Sequence, residues 1–242
     1  LFVYEDSALV GVSARGGELF LPPAFDYRLQ AGDEIIAVSE DDDTLVVNGR
    51  GRVNLDEQAI VAQRPATLQS PERTLVLGAS DRIGLVLREI DAYVAAGSHT
   101  LVVGEDAAEI LSARPTLKNI QVSVQTGDIT DRTVLDGLRV PTFDHVMVLA
   151  ETRKHSQDLA DARTLVTLLH LRDIDEKAGR DVPVTSEMLD IQNRELASVA
   201  EADDFIISNT LISLLMAQVS ENRHLAGVFE QLFRPEGHEI YL

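Results

Sequence analysis

From Arg73 onward the chain alternates short apolar runs with amphipathic stretches, and this rhythm limits the fold more than any other feature. Apolar strands are expected at Thr74 to Leu77, Thr100 to Val103, Ile120 to Val124, His145 to Leu149, Val182 to Thr185 and Phe205 to Ile207. Between them the spacing predicts helices. Ile83 to Ala96 places Ile83, Val86, Leu87, Ile90 and Val94 on one face. Ala107 to Ala113 is a short helix that ends before Pro115. Asp131 to Leu138 follows, with Thr130 as its N-cap. Gln157 to Lys177 is long, with Leu159, Ala162, Val166 and Leu169 on one face. A last helix runs from Asn209 to about Phe233, with a weak point at Gly227. Strands of this kind, apolar without alternation and separated by helices, predict a parallel sheet covered on both faces. The fold class is α/β, a Rossmann-like doubly wound parallel sheet preceded by a small β-rich α+β subdomain.

That subdomain comes first. Leu9 to Val12 and Glu18 to Leu21 read as strands joined at Arg15-Gly16-Gly17, where paired glycines supply positive φ cheaply. Pro22-Pro23 stops the second strand. Gln30 to Asp33 is a turn that launches Glu34 to Val38. Residues 39–71 change character: an acidic run, Glu40 to Asp43, is followed by Gly49, Gly51, Pro65 and Pro71. They read as a linker with one docked strand at Ala59 to Ala62. Gly237 to Leu242 reads as the beginning of a further strand.

Composition removes several functions. Without cysteine there is no disulfide framework, no thiolate zinc site and no thiol nucleophile. Twenty-one basic against 40 acidic residues give a net charge of −19, which repels a nucleic-acid backbone. No apolar run is long enough to span a bilayer: Phe205 to Val219 is interrupted by Ser208, Asn209, Thr210, Ser213 and Gln218. The chain opens at Leu1, in mid-strand style and without methionine, so an excised fragment is expected. No His-Glu-x-x-His or Gly-x-Ser-x-Gly is present, and the six histidines are scattered. An enzyme has no residues to stand on here.

Ligands of doubly wound sheets sit beyond the carboxyl ends of the strands, at the switch point. Those ends are Gly78 to Asp81, Gly104 to Asp106, Gly127-Asp128 and Ala150-Glu151. Gly78-Ala79-Ser80-Asp81-Arg82-Ile83-Gly84 stands where a dinucleotide fingerprint belongs, but Ser80 replaces the second glycine and Gly84 arrives one residue late. Ser80 and Asp81 would crowd or repel a diphosphate. Glu105 stands where an acidic residue binds a ribose hydroxyl, and Asp106 equally suits a helix cap. Asp128 either faces the cleft or closes a turn. The candidate ligand residues are therefore Gly78, Ser80, Asp81, Arg82, Glu105 and Asp128, in a degenerate nucleotide-type cleft that is either vestigial or still binding.

Leu77 to Asp81 running into Leu87 to Ile90 resembles the first β-α unit of RCK domains, the regulators of K⁺ conductance, and Gly127 to Thr130 resembles their Gly-Asp-x-Thr turn. The likeness is closest to the CASTOR/POLLUX ion channels. Gly16 to Glu18, Leu29 to Glu34 and Ser39 to Thr44 look like that family's first gating unit. Asp161 to Leu165, Thr185 to Asp190, Ile207 to Leu211, Ser220 to Arg223, Glu230 to Phe233 and Glu236 to Glu239 resemble its second. These pieces follow one another in order along nearly the whole chain.

The resemblance implies a division: 1–40 as the C-terminal subdomain of a first RCK unit, 41–72 as linker, 73–208 as the Rossmann-like lobe of a second, and 209–242 as a crossover helix and the start of the next subdomain. It implies a cytosolic regulatory fragment of a membrane cation channel, at the cytoplasmic face, assembled through RCK–RCK contacts in a tetrameric parent whose pore lies outside this chain. Ca²⁺ or a nucleotide is the ligand it suggests. For Ca²⁺ the matching positions hold Leu149, Glu187 and Leu189, with Glu151 and Asp190 as substitutes; one glutamate falls short of the six to eight oxygens a hard cation takes. The competing readings are a nucleotide-sensing module of the TrkA type and, lacking a substrate domain, an NAD-dependent oxidoreductase.

Overall fold

The first strands form a small antiparallel sheet, in which β1 (Ala8–Ser13) lies between β2 (Leu19–Phe20) and β3 (Glu34–Val38). This computed structural model describes residues 7–24, 26–39, 70–112, 115–193, 204–222 and 224–234. The turn after β1 closes by Gly17 N–H to Ala14 O at 2.7 Å, with Gly17 at φ +84°. The turn before β3 is held by Asp33, which accepts from Gln30 N–H at 2.9 Å, from Arg15 N–H at 3.1 Å and from the Tyr27 hydroxyl at 2.9 Å. The acidic run Glu40 to Asp43, the docked strand at Ala59 to Ala62 and the strand after Gly237 lie outside the described residues.

The chain divides into two units, Leu1–Thr67 with Gln218–Leu242, and Leu68–Ala217. The larger is built on β4 (Arg73–Leu77), α1 (Ile83–Tyr93), β5 (Ser98–Val103), α2 (Ala107–Ile110), β6 (Ile120–Gln125), α3 (Arg132–Leu138), β7 (His145–Val148), α4 (Gln157–Ala178), β8 (Val184–Met188) and β9 (Asp204–Ile207). Helix α5 (Ser208–Glu221) follows β9, and α6 (Leu225–Leu232) belongs to the smaller unit. All neighbouring strands of the large sheet are parallel, in the order β6-β5-β4-β7-β8-β9. The chain works outward from β4 in one direction, then returns beside β4 as β7 and works outward in the other. This is the doubly wound order, and the switch point lies between β4 and β7.

Each face of the sheet has its own core. Leu75, Leu77, Val146 and Val148 pack with Leu135, Leu168 and Leu171 of α3 and α4, whereas Val76, Val102 and Leu149 pack with Ile83 and Leu87 of α1.

Three sequence expectations need correction. The last helix is two helices, broken around Asn222 and His224, and Gly227 sits inside α6, where a Cβ would come 2.8 Å from Leu19 Cδ1. That close packing, together with Gln231 donating to Leu19 O at 3.3 Å, explains the glycine. The cap of α3 is Asp131, whose carboxylate accepts from Thr133 N–H at 2.8 Å, while Thr130 bonds back to Asp128. The stripe Leu159, Val166 and Leu169 of α4 is 40–50% exposed. Its buried side is Ala160, Asp161, Thr164, Thr167, Leu168, Leu171 and Ile174. On that side the Thr167 hydroxyl is satisfied by backbone carbonyls, Arg163 O one turn back (2.9 Å) and Ile129 O (3.1 Å).

Candidate functional site

The strand ends at the switch point approach each other closely. Gly78, at φ +85°, donates to Val103 O at 2.8 Å, and a Cβ there would lie 2.3 Å from Leu149 O. A Cβ on Gly104 would come 3.3 Å from Ala79 Cβ and 3.4 Å from Glu151 Oε1. In a dinucleotide fold such glycines let the protein backbone approach a pyrophosphate. Here both glycines also face Glu151, whose carboxylate lies beside them.

That carboxylate is Glu151, on the loop after β7. Its side chain is 9% exposed and meets Arg163 of α4, which donates Nη2 at 2.9 Å and Nε at 3.1 Å, both to Oε2. The same Nη2 reaches Asp128 Oδ1 at 2.8 Å and stands 3.8 Å from Glu105 Oε1. Burial raises the Glu151 carboxyl above its ordinary value; Arg163 opposes this and Glu105 adds to it. Burial also works against ionisation of Asp128. There the hydroxyl and N–H of Thr130, with Arg163, outweigh it and hold the carboxyl below its ordinary value.

Ion pairs span the crevice between the two halves of the sheet. Arg82 at the start of α1 pairs with Glu187 of β8, whose other oxygen accepts from Ala150 N–H at 3.1 Å. Lys154 pairs with Asp106, Arg153 reaches Glu109 at 2.8 Å, and Arg163 bridges to Asp128. Each joins an element of the β4–β6 half to one of the β7–β9 half. Where a bound nucleotide would connect the halves, charged side chains do.

Of the sequence candidates, Glu105 and Asp128 share the Arg163 guanidinium, Gly78 lines the junction, and Ser80 is buried with its Oγ accepting from Arg82 N–H at 3.3 Å. Asp81 is exposed, and Arg82 turns away to Glu187. Glu151, Glu187 and Asp190 do not converge. Two are bound to different guanidinium groups, and Asp190 donates its N–H to Asp161 and accepts from Gln192 N–H. Among the described residues no three such side chains gather as a metal site requires. These residues do not gather round a calcium ion, and at the junction Glu151 already holds Arg163. Sequence reasoning missed Arg163 as the hub. The available signal was three cations, Arg153, Lys154 and Arg163, close after one strand end in an acidic chain.

Asp161, two residues before the hub, is fully buried and binds the loop after β8: Leu189 N–H at 2.9 Å, Asp190 N–H at 3.0 Å and Asn193 Nδ2 at 2.8 Å.

The chain aligns over 96% of its length with the ion channel DMI1 of Medicago truncatula, at 29% identity, and with the ion channels POLLUX and CASTOR of Lotus japonicus, both at 28%. The chain is related to the CASTOR/POLLUX ion channels. It spans 30%, 29% and 31% of the length of these three CASTOR/POLLUX relatives. No family model matches. Among solved structures, the GsuK RCK domain is similar at 18% identity, with a TM-score of 0.41 over 60% of this chain and 28% of that one. The human SLO3 gating ring is similar at 11%, with a TM-score of 0.39 over 56% and 24%. Among the described residues no helix is long and apolar enough to cross a membrane.

Proposed function

We propose that the chain is a cytosolic regulatory section of a larger membrane cation channel, of the RCK kind, relaying ligand binding to a pore outside these residues. The observation that carries this reading is the alignment with named ion channels over nearly the whole chain. The candidate cleft of Gly78, Ser80, Asp81, Arg82, Glu105 and Asp128 works in this reading as a joint. Ion pairs couple the halves, and a ligand elsewhere in the assembly acts by preferring one setting of that joint, shifting the population by its differential affinity alone. The exposed apolar residues Leu159, Val166 and Leu169 of α4, and Leu211, Leu214 and Met216 of α5, supply surface for contacts between copies in an oligomer.

One observation favours a second reading, a nucleotide-sensing module: the strand order is that of dinucleotide-binding folds. Calorimetry with NAD, NADH, ATP and ADP separates the two.

The test of the first reading is recording from the full-length protein in planar bilayers. Expected are cation currents whose open probability changes in Arg163→Met and in the surface double variant Arg153→Ala, Lys154→Ala, which leaves the buried cluster intact. A full-length protein that conducts nothing, or conducts identically in all forms, would overturn it.

A further inference from the structure

Helix α5 is anchored in the large unit where it begins. Ser208, its first residue, is buried, whereas its apolar residues grow more exposed along it, from 43% at Leu211 to 68% at Met216. The direction of a helix packed this way is set at its first turn. There Asn209 Nδ2 donates to Leu189 O, in the loop after β8, at 3.1 Å. Asp190 N–H belongs to the same peptide group as Leu189 O, and it donates to Asp161 Oδ2 of α4 at 3.0 Å. One peptide group is therefore held from both sides, by α4 on its N–H and by α5 on its C=O. A peptide group is a rigid plane, so neither helix can turn against the other without turning this plane or releasing it.

The α4 side of this peptide leads straight to the charged junction. Asp161 and Arg163 lie on one turn of α4, and Asp161 fixes the peptide firmly, because it also takes Leu189 N–H on Oδ1 and Asn193 Nδ2 on Oδ2. Ala160, on the same turn, packs with Ala150 and Leu189 in a small core separate from the two sheet cores. Ala150 directly precedes Glu151, and its N–H donates to Glu187 Oε2 at 3.1 Å. The loop that carries Glu151 and the loop after β8 thus meet on one turn of α4, through fully buried alanines. Contacts packed at interior density transmit displacement rather than absorb it. A shift of the Glu151 loop against α4 is passed to Leu189, and from its carbonyl to Asn209.

We propose that the Leu189–Asp190 peptide is a latch through which the setting of the Glu151–Arg163 junction fixes the direction of α5, with Asp161 and Asn209 as its positioning residues. At 14 residues α5 is about 21 Å long, so a turn of about 10° at the latch carries its far end about 4 Å. The helix is a lever that enlarges small changes at the strand ends. This inference rests on the reading of the junction as a joint, and it holds whatever ion the parent conducts.

The test uses the 242-residue chain, whose lack of cysteine lets nitroxide labels be placed at Leu85→Cys of α1 and Met216→Cys of α5, both exposed positions. Pulsed electron paramagnetic resonance, with the labelled chain diluted in unlabelled chain, reads the direction of α5 as a distance distribution. Asn209→Leu, of similar size but without a donor, is expected to at least double the width of that distribution. Arg163→Met, more than a helical turn's length of chain away from either label, is expected to do the same. In the Asn209→Leu background Arg163→Met adds no further width, a non-additivity that two independent structural contacts do not show. Glu151→Gln, which keeps the shape of its side chain, takes the place of Arg163→Met if the latter loses its circular-dichroism melt. A distribution unchanged by the junction variant, or widths that add in the double variant, overturns the latch. Because no pore enters the measurement, that result leaves the channel reading to the bilayer recordings, and silent recordings leave the latch to this one.

Discussion

Arg163 and Glu151 are joined by two N–H···O bonds, 2.9 and 3.1 Å, that end on the same carboxylate oxygen. The pair stands at the switch point, where β4 and β7 diverge in connection. The cleft therefore contains its own anion and its own cation.

Removing the cation leaves a buried carboxylate without a partner. Arg163→Met is expected to destabilise the large unit by about 3 kcal/mol, and Glu151→Leu added to it to recover most of that loss. Arg153→Ala and Lys154→Ala, whose ion pairs lie at the surface, are expected to leave the unfolding midpoint close to that of the native chain. Urea unfolding of these four variants beside the native chain measures all of this.

The Glu151 carboxyl has a folded value above its ordinary 4.5, so the folded state holds this proton more tightly than the unfolded one. Its contribution is most favourable below 4.5 and is lost as pH rises through the raised value. Asp128 has the opposite sign: its contribution is present above 3.8 and lost as pH falls through its lowered value. Stability relative to Glu151→Gln should decline as pH is raised from 4.5. Denaturant midpoints of both proteins on either side of that pH check it, and a constant difference refutes it.

A diphosphate would need Arg163 or the space that Glu151 fills. Calorimetry of the native chain with NAD, NADH, ATP and ADP is expected to give no binding tighter than a Kd of about 1 mM. Micromolar binding of any of the four would reverse the reading of the joint.

Asp161 serves three donors in the loop after β8. Asp161→Ala leaves the buried Leu189 N–H unpaired and is expected to cost about 3 kcal/mol, since stranding one buried donor costs about 1–3 kcal/mol. Amide exchange at Leu189 and Asp190 should accelerate more than at Val76, which lies at the sheet centre.

Some of this was readable from residues alone. The apolar runs named six strands in the right places, though Val182 to Thr185 proved to be Val184–Met188, because Val182 is a buried residue ahead of the strand. Gly78 was marked as a turn and Glu105 and Asp128 as strand-end acids, and all three lie at the junction. Glu151 was marked as a metal ligand, although it faces an arginine. On α4 the apolar stripe suggested the wrong inward face. Periodicity reports where apolar residues fall, not which face a sheet covers, and Asp161 and Thr167 on the inner face find their distant partners only after folding.

By itself the sequence determined the doubly wound α/β class and the loss of the glycine fingerprint, because backbone periodicity and positive φ are properties of local residue type. Tertiary structure alone decided what replaced the ligand. Arg163 meets Glu105, Asp128 and Glu151 only when three strand ends and α4 come together, and a charge separated along the chain carries no mark of the partner it will find.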